Sequence, residues 1–151
     1  MAQKDDRESL VSEYDTLGER PWSYLTVVIK KWEKEVGDVL ESFEVTRAQL
    51  EYLMCVAKFT REGKPATQKD LAASLGRAKN TASEAFSNLE KKGYIVRSSS
   101  DADLREKHVV LTEKGLCLAN KAIREVALVD QRIFPDERDN EELIRLLKNY
   151  L

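Results

Sequence analysis

Residues 66–111 read ATQKDLAASLGRAKNTASEAFSNLEKKGYIVRSSSDADLREKHVVL, and their order decides the fold. Thr67-Gln-Lys-Asp70 sets a hydroxyl three residues before an acid. This predicts a capped short helix from Gln68 to about Leu75, with Leu71, Ala72 and Leu75 apolar. Gly76 breaks it and supplies a turn. A second helix is predicted from near Lys79 to Lys92, with Ala82, Ala85, Phe86 and Leu89 at helical spacing on the inward side. Lys91 and Lys92 followed by Gly93 form a C-terminal stop, the cations set against the helix dipole. Tyr94–Arg97 and His108–Leu111 are β-prone and flank the turn-rich Ser98–Asp103, which predicts a hairpin. Helix, turn, helix and hairpin in this order make a winged helix-turn-helix.

Outward from this segment the chain is helical. Thr46-Arg-Ala-Gln49 has capping-box spacing and predicts a helix that ends before Gly63-Lys-Pro65, with Leu50, Leu53, Met54 and Ala57 on one face. Before it, Trp22, Leu25, Ile29, Trp32, Val36, Val39/Leu40 and Phe43 draw one apolar stripe along a long helix, with Pro21 at its start. After the hairpin, Thr112 begins a helix with Leu116, Ala119, Ile123 and Val126 on one side. Pro135 interrupts the pattern, and a last helix from about Asp139 carries Leu143, Ile144, Leu147 and Leu151. The fold class is therefore mainly α with a small β-hairpin wing. The expected organisation is a flexible extension over 1–18, an N-terminal dimerisation helix over 19–45, a winged helix-turn-helix lobe over 46–111, and C-terminal dimerisation helices over 112–151. The terminal helices carry more apolar surface than one chain of this length covers readily, which points to a homodimer. Packing on their own chain is the other reading.

Composition bounds the remaining classes. The chain has 151 residues, 25 Lys+Arg and 27 Asp+Glu, for a net charge of −2. The acidity argues against a nucleic-acid partner until the charge is divided. Residues 64–114 hold ten bases against seven acids, a net +3, and the rest holds fifteen against twenty, a net −5. The lobe is basic and the flanks acidic. No apolar run approaches the roughly 20 residues of a membrane span. MAQKDDRESLV has no apolar core of a secretory signal, and two cysteines make no disulfide framework, so a cytoplasmic protein is expected.

An α-helix fits the major groove of DNA, where base edges differ, while phosphate contacts set register. On the helix near Lys79, the face opposite the apolar residues offers Asn80, Thr81, Ser83, Glu84, Ser87 and Asn88, with Arg77 and Lys79 placed for phosphates. Thr67 and Gln68 can meet phosphate through backbone N–H groups. Thr81 and Ser83 also suit helix capping, and Thr81-Ala-Ser-Glu84 has capping-box spacing of its own.

Asp70-Leu-Ala-Ala-Ser-Leu-Gly76, Thr81-Ala-Ser83, Leu89-Glu-Lys-Lys-Gly93-Tyr-Ile95, Asp103-Leu-Arg105 and Val109-Val-Leu-Thr112-Glu-Lys-Gly115 together resemble the MarR family of bacterial transcription regulators, over about residues 20–151. The resemblance implies a homodimer on a pseudo-palindromic double-stranded operator, most often as a repressor. It implies that Arg105, beside Lys107, enters the minor groove and that Asp103 holds the wing. It also implies a small, often aromatic or anionic, effector at the junction of dimer region and lobes. Trp22, Tyr24, Trp32, Arg47 and Tyr52 are suitable types there, each read more simply as core packing, and no ligand site is assigned. The chain departs from the family pattern at Ala78, Asn80, Glu84 and Leu104. Glu84 and Leu104 favour a second reading, a winged-helix protein-interaction module with weak or lost DNA binding.

Catalytic chemistry has no support. His108 is the only histidine, it and the two cysteines offer no adequate ligand set at recognisable metal-site spacing, and there is no phosphate-cradling loop or nucleophile elbow, so no metal, cofactor or enzyme activity is expected. The family's peroxide-sensing branch carries its cysteine in the first long helix, where Trp22–Phe43 has none. Cys55 and Cys117 read as small buried hydrophobes.

Overall fold

The computed structural model describes residues 18–64, 66–99 and 107–151. Among the described residues six helices and one hairpin follow in the predicted order: α1 (Pro21–Glu41), α2 (Arg47–Arg61), α3 (Gln68–Ser74), α4 (Lys79–Lys91), β1 (Ile95–Ser99), β2 (Lys107–Leu111), α5 (Glu113–Ile133) and α6 (Glu137–Lys148). The chain divides into two compact units, with the boundary between Glu35 and Val36 inside α1. In the first unit Trp22, Tyr24, Val27 and Ile29 are exposed. In the second, Val36 and Leu40 are buried.

Local hydrogen bonds explain the helix starts. At α2 the Thr46 hydroxyl accepts from the Gln49 N–H (3.2 Å), and the Thr46 N–H donates to Gln49 Oε1 (3.0 Å), the full capping box. Thr67 caps α3 by accepting from the Asp70 N–H (3.1 Å), and Thr112 caps α5 by accepting from the Gly115 N–H (3.0 Å). The last helix starts at Glu137, two residues before the expected Asp139. The Asp136 carboxylate accepts from the N–H groups of Arg138 (2.8 Å) and Asp139 (3.2 Å) and so begins the helix directly after Pro135. Gly76 takes φ +60°, a left-handed conformation that suits glycine between α3 and α4.

The core lies where α2 meets α3, α4, α5 and the hairpin. Tyr52 and Phe86 are fully buried with ring centroids 4.6 Å apart, tilted by 50°. Leu53, Val56, Leu71, Leu89, Ile95 and Val109 are buried as well. The apolar face expected on α2 is rotated: Leu50 and Leu53 are buried, but Met54 is exposed and Tyr52 and Val56 take its place. The face of α5 is rotated too. Gly115, Ala119, Ala122, Val126 and Val129 are buried while Leu116 is exposed. Small residues let this helix lie close against the lobe, and a leucine on that line would hold it off. The strands are antiparallel, with Ile95 opposite Leu111 and Arg97 opposite Val109. The Val109 N–H donates to the Ala66 carbonyl (2.8 Å), and Thr67 bridges to His108, tying the hairpin to the start of α3.

Candidate nucleic-acid interface

The second helix of the helix-turn-helix, α4, is set by Ala82, Phe86 and Leu89, which bury one face. Helical periodicity then turns Asn80, Thr81, Ser83, Glu84 and Asn88 outward, all exposed, with Ser87 half-buried beside them. These are the predicted groove-facing residues, and the structure brings them to one surface. The Ser87 hydroxyl donates to the Ser83 carbonyl (2.9 Å), so its proton is already engaged. The N-cap is Ala78, which offers no side-chain acceptor, and the first turn holds no acidic residue. The first N–H groups of α4, at the positive end of the helix dipole, therefore lack a side-chain partner of the usual kind. Because the helix begins at Lys79, Thr81 lies inside its first turn. The capping box expected at Thr81–Glu84 does not form, and Glu84 stays exposed with no hydrogen-bonding or ionic partner among the described residues.

Other predicted residues are placed differently. Arg77 is not a free phosphate ligand: its guanidinium is hydrogen-bonded to the Glu51 carboxylate and lies over the Tyr52 ring, 5.5 Å from its centroid. Glu51 is shared with Arg47 at 3.4 Å. Burial pushes the Tyr52 phenol up, and the Arg77 charge opposes that shift. Thr67 is buried, and its hydroxyl also donates to Asp70 Oδ2 (2.7 Å). Gln68 is half-buried, with a buried Nε2 that has no partner among the described residues. Lys79 opens α4 and Lys107 opens β2. Arg105, Asp103 and Leu104 lie outside the described residues.

An ion pair between the hairpin and α4 was not foreseen from the sequence. Arg97 on β1 is held by Glu90 on α4, and the signal for it was present. Arg97 follows Ile95 on the inward face of the strand, and a charge at an inward position calls for a partner. The cysteines differ from expectation as well. Cys55 is half-buried, and burial raises its thiol above the usual range; Cys117 is exposed. A thiol reagent at pH 8 is expected to label Cys117 faster than Cys55 in the native protein. Equal labelling rates would contradict this assignment. Among the described residues no group of three His, Cys, Asp or Glu side chains is placed to hold a metal ion, and no helix is long and apolar enough to cross a membrane.

A model of the MarR family matches residues 45–107. YdcH of Bacillus subtilis (strain 168), an uncharacterised HTH-type transcriptional regulator, is 31% identical over 131 residues, which is 87% of this chain and 89% of that protein. MepR of S. aureus, solved in complex with DNA, superposes with a TM-score of 0.76 at 28% identity, covering 87% of this chain and 96% of MepR. AbsC, a MarR family transcriptional regulator from Streptomyces coelicolor, shares the fold at a TM-score of 0.75 and 24% identity, covering 85% of this chain and 88% of AbsC.

Proposed function

The chain belongs to the MarR family of transcriptional regulators, and we propose that it acts as a homodimeric repressor that reads a pseudo-palindromic DNA operator. Regulators of this family are not enzymes. One observation carries the reading: α4 is anchored from behind by Phe86 and presents five exposed residues with short or acceptor-bearing polar side chains from an N-terminus without a side-chain cap. Short polar groups suit base edges, and the free N–H groups suit phosphate. Residues 46–111 form the DNA-binding lobe in this reading, with Asn80, Thr81, Ser83, Glu84 and Asn88 facing the major groove. Arg105 and Lys107 serve the wing, and Asp103 supports it. Glu84 can accept from the cytosine amino group.

Residues 19–45 and 112–151 supply the dimer. No side chain of α6 is buried within the chain, and Leu128, Ile144, Leu146 and Leu147 are exposed. A groove of about 770 Å³ between α5 and α6, lined by Phe134, Pro135, Leu143, Ile144 and Leu147, fits apolar side chains of a second copy. A two-fold dimer sets the two α4 helices about one helical turn, roughly 10 bp, apart. A bound dimer represses by occupying the promoter. A small aromatic or anionic effector would relieve repression only by binding one spacing of the lobes better than another.

Selection of bound duplexes from a random pool, followed by fluorescence anisotropy at several salt concentrations, tests the proposal. The expected result is enrichment of inverted half-sites roughly 10 bp apart. Their affinity is expected to exceed that for random duplex by about 10³-fold or more, with log K falling linearly against log salt. The exposed Glu84 on the groove-facing side favours one other reading, a protein-interaction module. No binding to any duplex at micromolar protein and low salt would replace the first reading with that one.

A further inference from the structure

On the inward face of the hairpin Ile95 is buried opposite Leu111, and the next inward residue of β1, Arg97, stands opposite the buried Val109. At that level β1 is attached to α4 by polar contacts. The Arg97 backbone N–H donates to Glu90 Oε1 (3.1 Å), Nε donates to Oε2 (2.9 Å), and Nη2 donates to the same Oε2 (2.5 Å). One carboxylate thus closes both the guanidinium and a strand-edge N–H that faces away from β2. Charge-assisted bonds in this arrangement fix direction as well as distance. The Arg97 side chain is only 15% exposed. Nη2 also reaches within 3.5 Å of Ser87 Oγ, one turn before Glu90 on the groove-facing side of α4.

We propose that Arg97 is a positioning residue for DNA recognition: its clamp on Glu90 sets the angle of the hairpin to α4, so that hairpin and helix meet adjacent grooves together. This rests on the DNA-binding reading above. A lone helix or a lone hairpin can still bind phosphate without reading sequence. Loss of the clamp should therefore cost specific affinity and leave non-specific affinity largely intact. A residue that touched phosphate itself would lower both and flatten the salt slope by about one.

The test compares wild type with Arg97→Gln, Arg97→Lys, Glu90→Gln, the single reversals Glu90→Arg and Arg97→Glu, and the exchanged pair that combines those two. Each is measured on a selected duplex and on a random duplex of equal length, with thermal melts alongside. Arg97→Gln and Glu90→Gln are expected to weaken the selected duplex roughly 3- to 30-fold and random duplex less than twofold, with unchanged salt slope. Arg97→Lys should recover part of the loss, and the exchanged pair should bind better than either single reversal. Wild-type affinity in both Gln variants would overturn the proposal, as would equal loss on both duplexes. If Arg97→Gln melts below the assay temperature, Glu90→Gln and Arg97→Lys carry the comparison. Failure of wild type to bind any duplex would overturn the DNA-binding reading, and the positioning role with it, which separates that failure from failure of the clamp alone.

Discussion

Gly115→Ala is expected to destabilise the protein by roughly 2–5 kcal/mol, combining overpacking with partial loss of a helix cap. A Cβ at Gly115 would lie 1.9 Å from the Tyr94 carbonyl oxygen, 2.8 Å from its carbon and 3.1 Å from its Cα. All three are backbone atoms, so no side chain can swing aside. The start of α5 would have to lift away from the Gly93–Tyr94 turn. That lift strains the bonds joining them: Thr112 N–H to the Tyr94 carbonyl (3.1 Å), Thr112 hydroxyl to the Gly93 carbonyl (2.7 Å) and Lys114 Nζ to the Lys92 carbonyl (2.8 Å). The melting temperature should fall by roughly 5–15 °C. Gly37→Ala is the control. A Cβ there meets nothing within 4 Å, and in the middle of α1 the change should stabilise by roughly 0.4–1 kcal/mol. Thermal melts at one protein concentration give both values. Equal effects at the two glycines would refute the close-approach argument.

Asn80→Glu is expected to move stability and DNA affinity in opposite directions. Asn80 is exposed in the first turn of α4, where no acidic residue stands and the N-cap is alanine. A carboxylate there meets the positive end of the helix dipole and should stabilise by roughly 0.3–1 kcal/mol. Facing DNA, the same charge would oppose phosphates and acceptor-rich base edges, with an affinity loss of roughly 100-fold or more. Asn80→Gln keeps the size without the charge and should lose far less. A protein that melts no lower yet fails to bind cannot have failed by unfolding. Wild-type affinity in Asn80→Glu would remove α4 from the interface.

Much of the architecture was readable because its causes are local. Thr46 with Gln49, Thr67 with Asp70, and Thr112 with Gly115 are each three residues apart, and each cap forms where the spacing places it. The outward side of α4 follows from Phe86 and Leu89 by periodicity alone. The start of α6 is equally local: the Asp136 carboxylate caps the helix directly behind Pro135, two residues before the expected Asp139.

Pattern within about one helical turn thus determined the element order, the winged helix-turn-helix and the side of α4 that faces outward. Side-chain partners across the fold were decided only by tertiary structure. Arg77, placed for phosphate by its position in the turn, is taken by Glu51, 26 residues away, and by the Tyr52 ring. Lys92, read as a dipole cap, reaches the Glu44 carbonyl 48 residues back. The inward faces of α2 and α5 are each rotated from their apolar stripes, because close packing selects shape as well as hydrophobicity. A period identifies which residues share a face. Which face is buried, and which charge is already spent, depends on what the folded chain brings alongside.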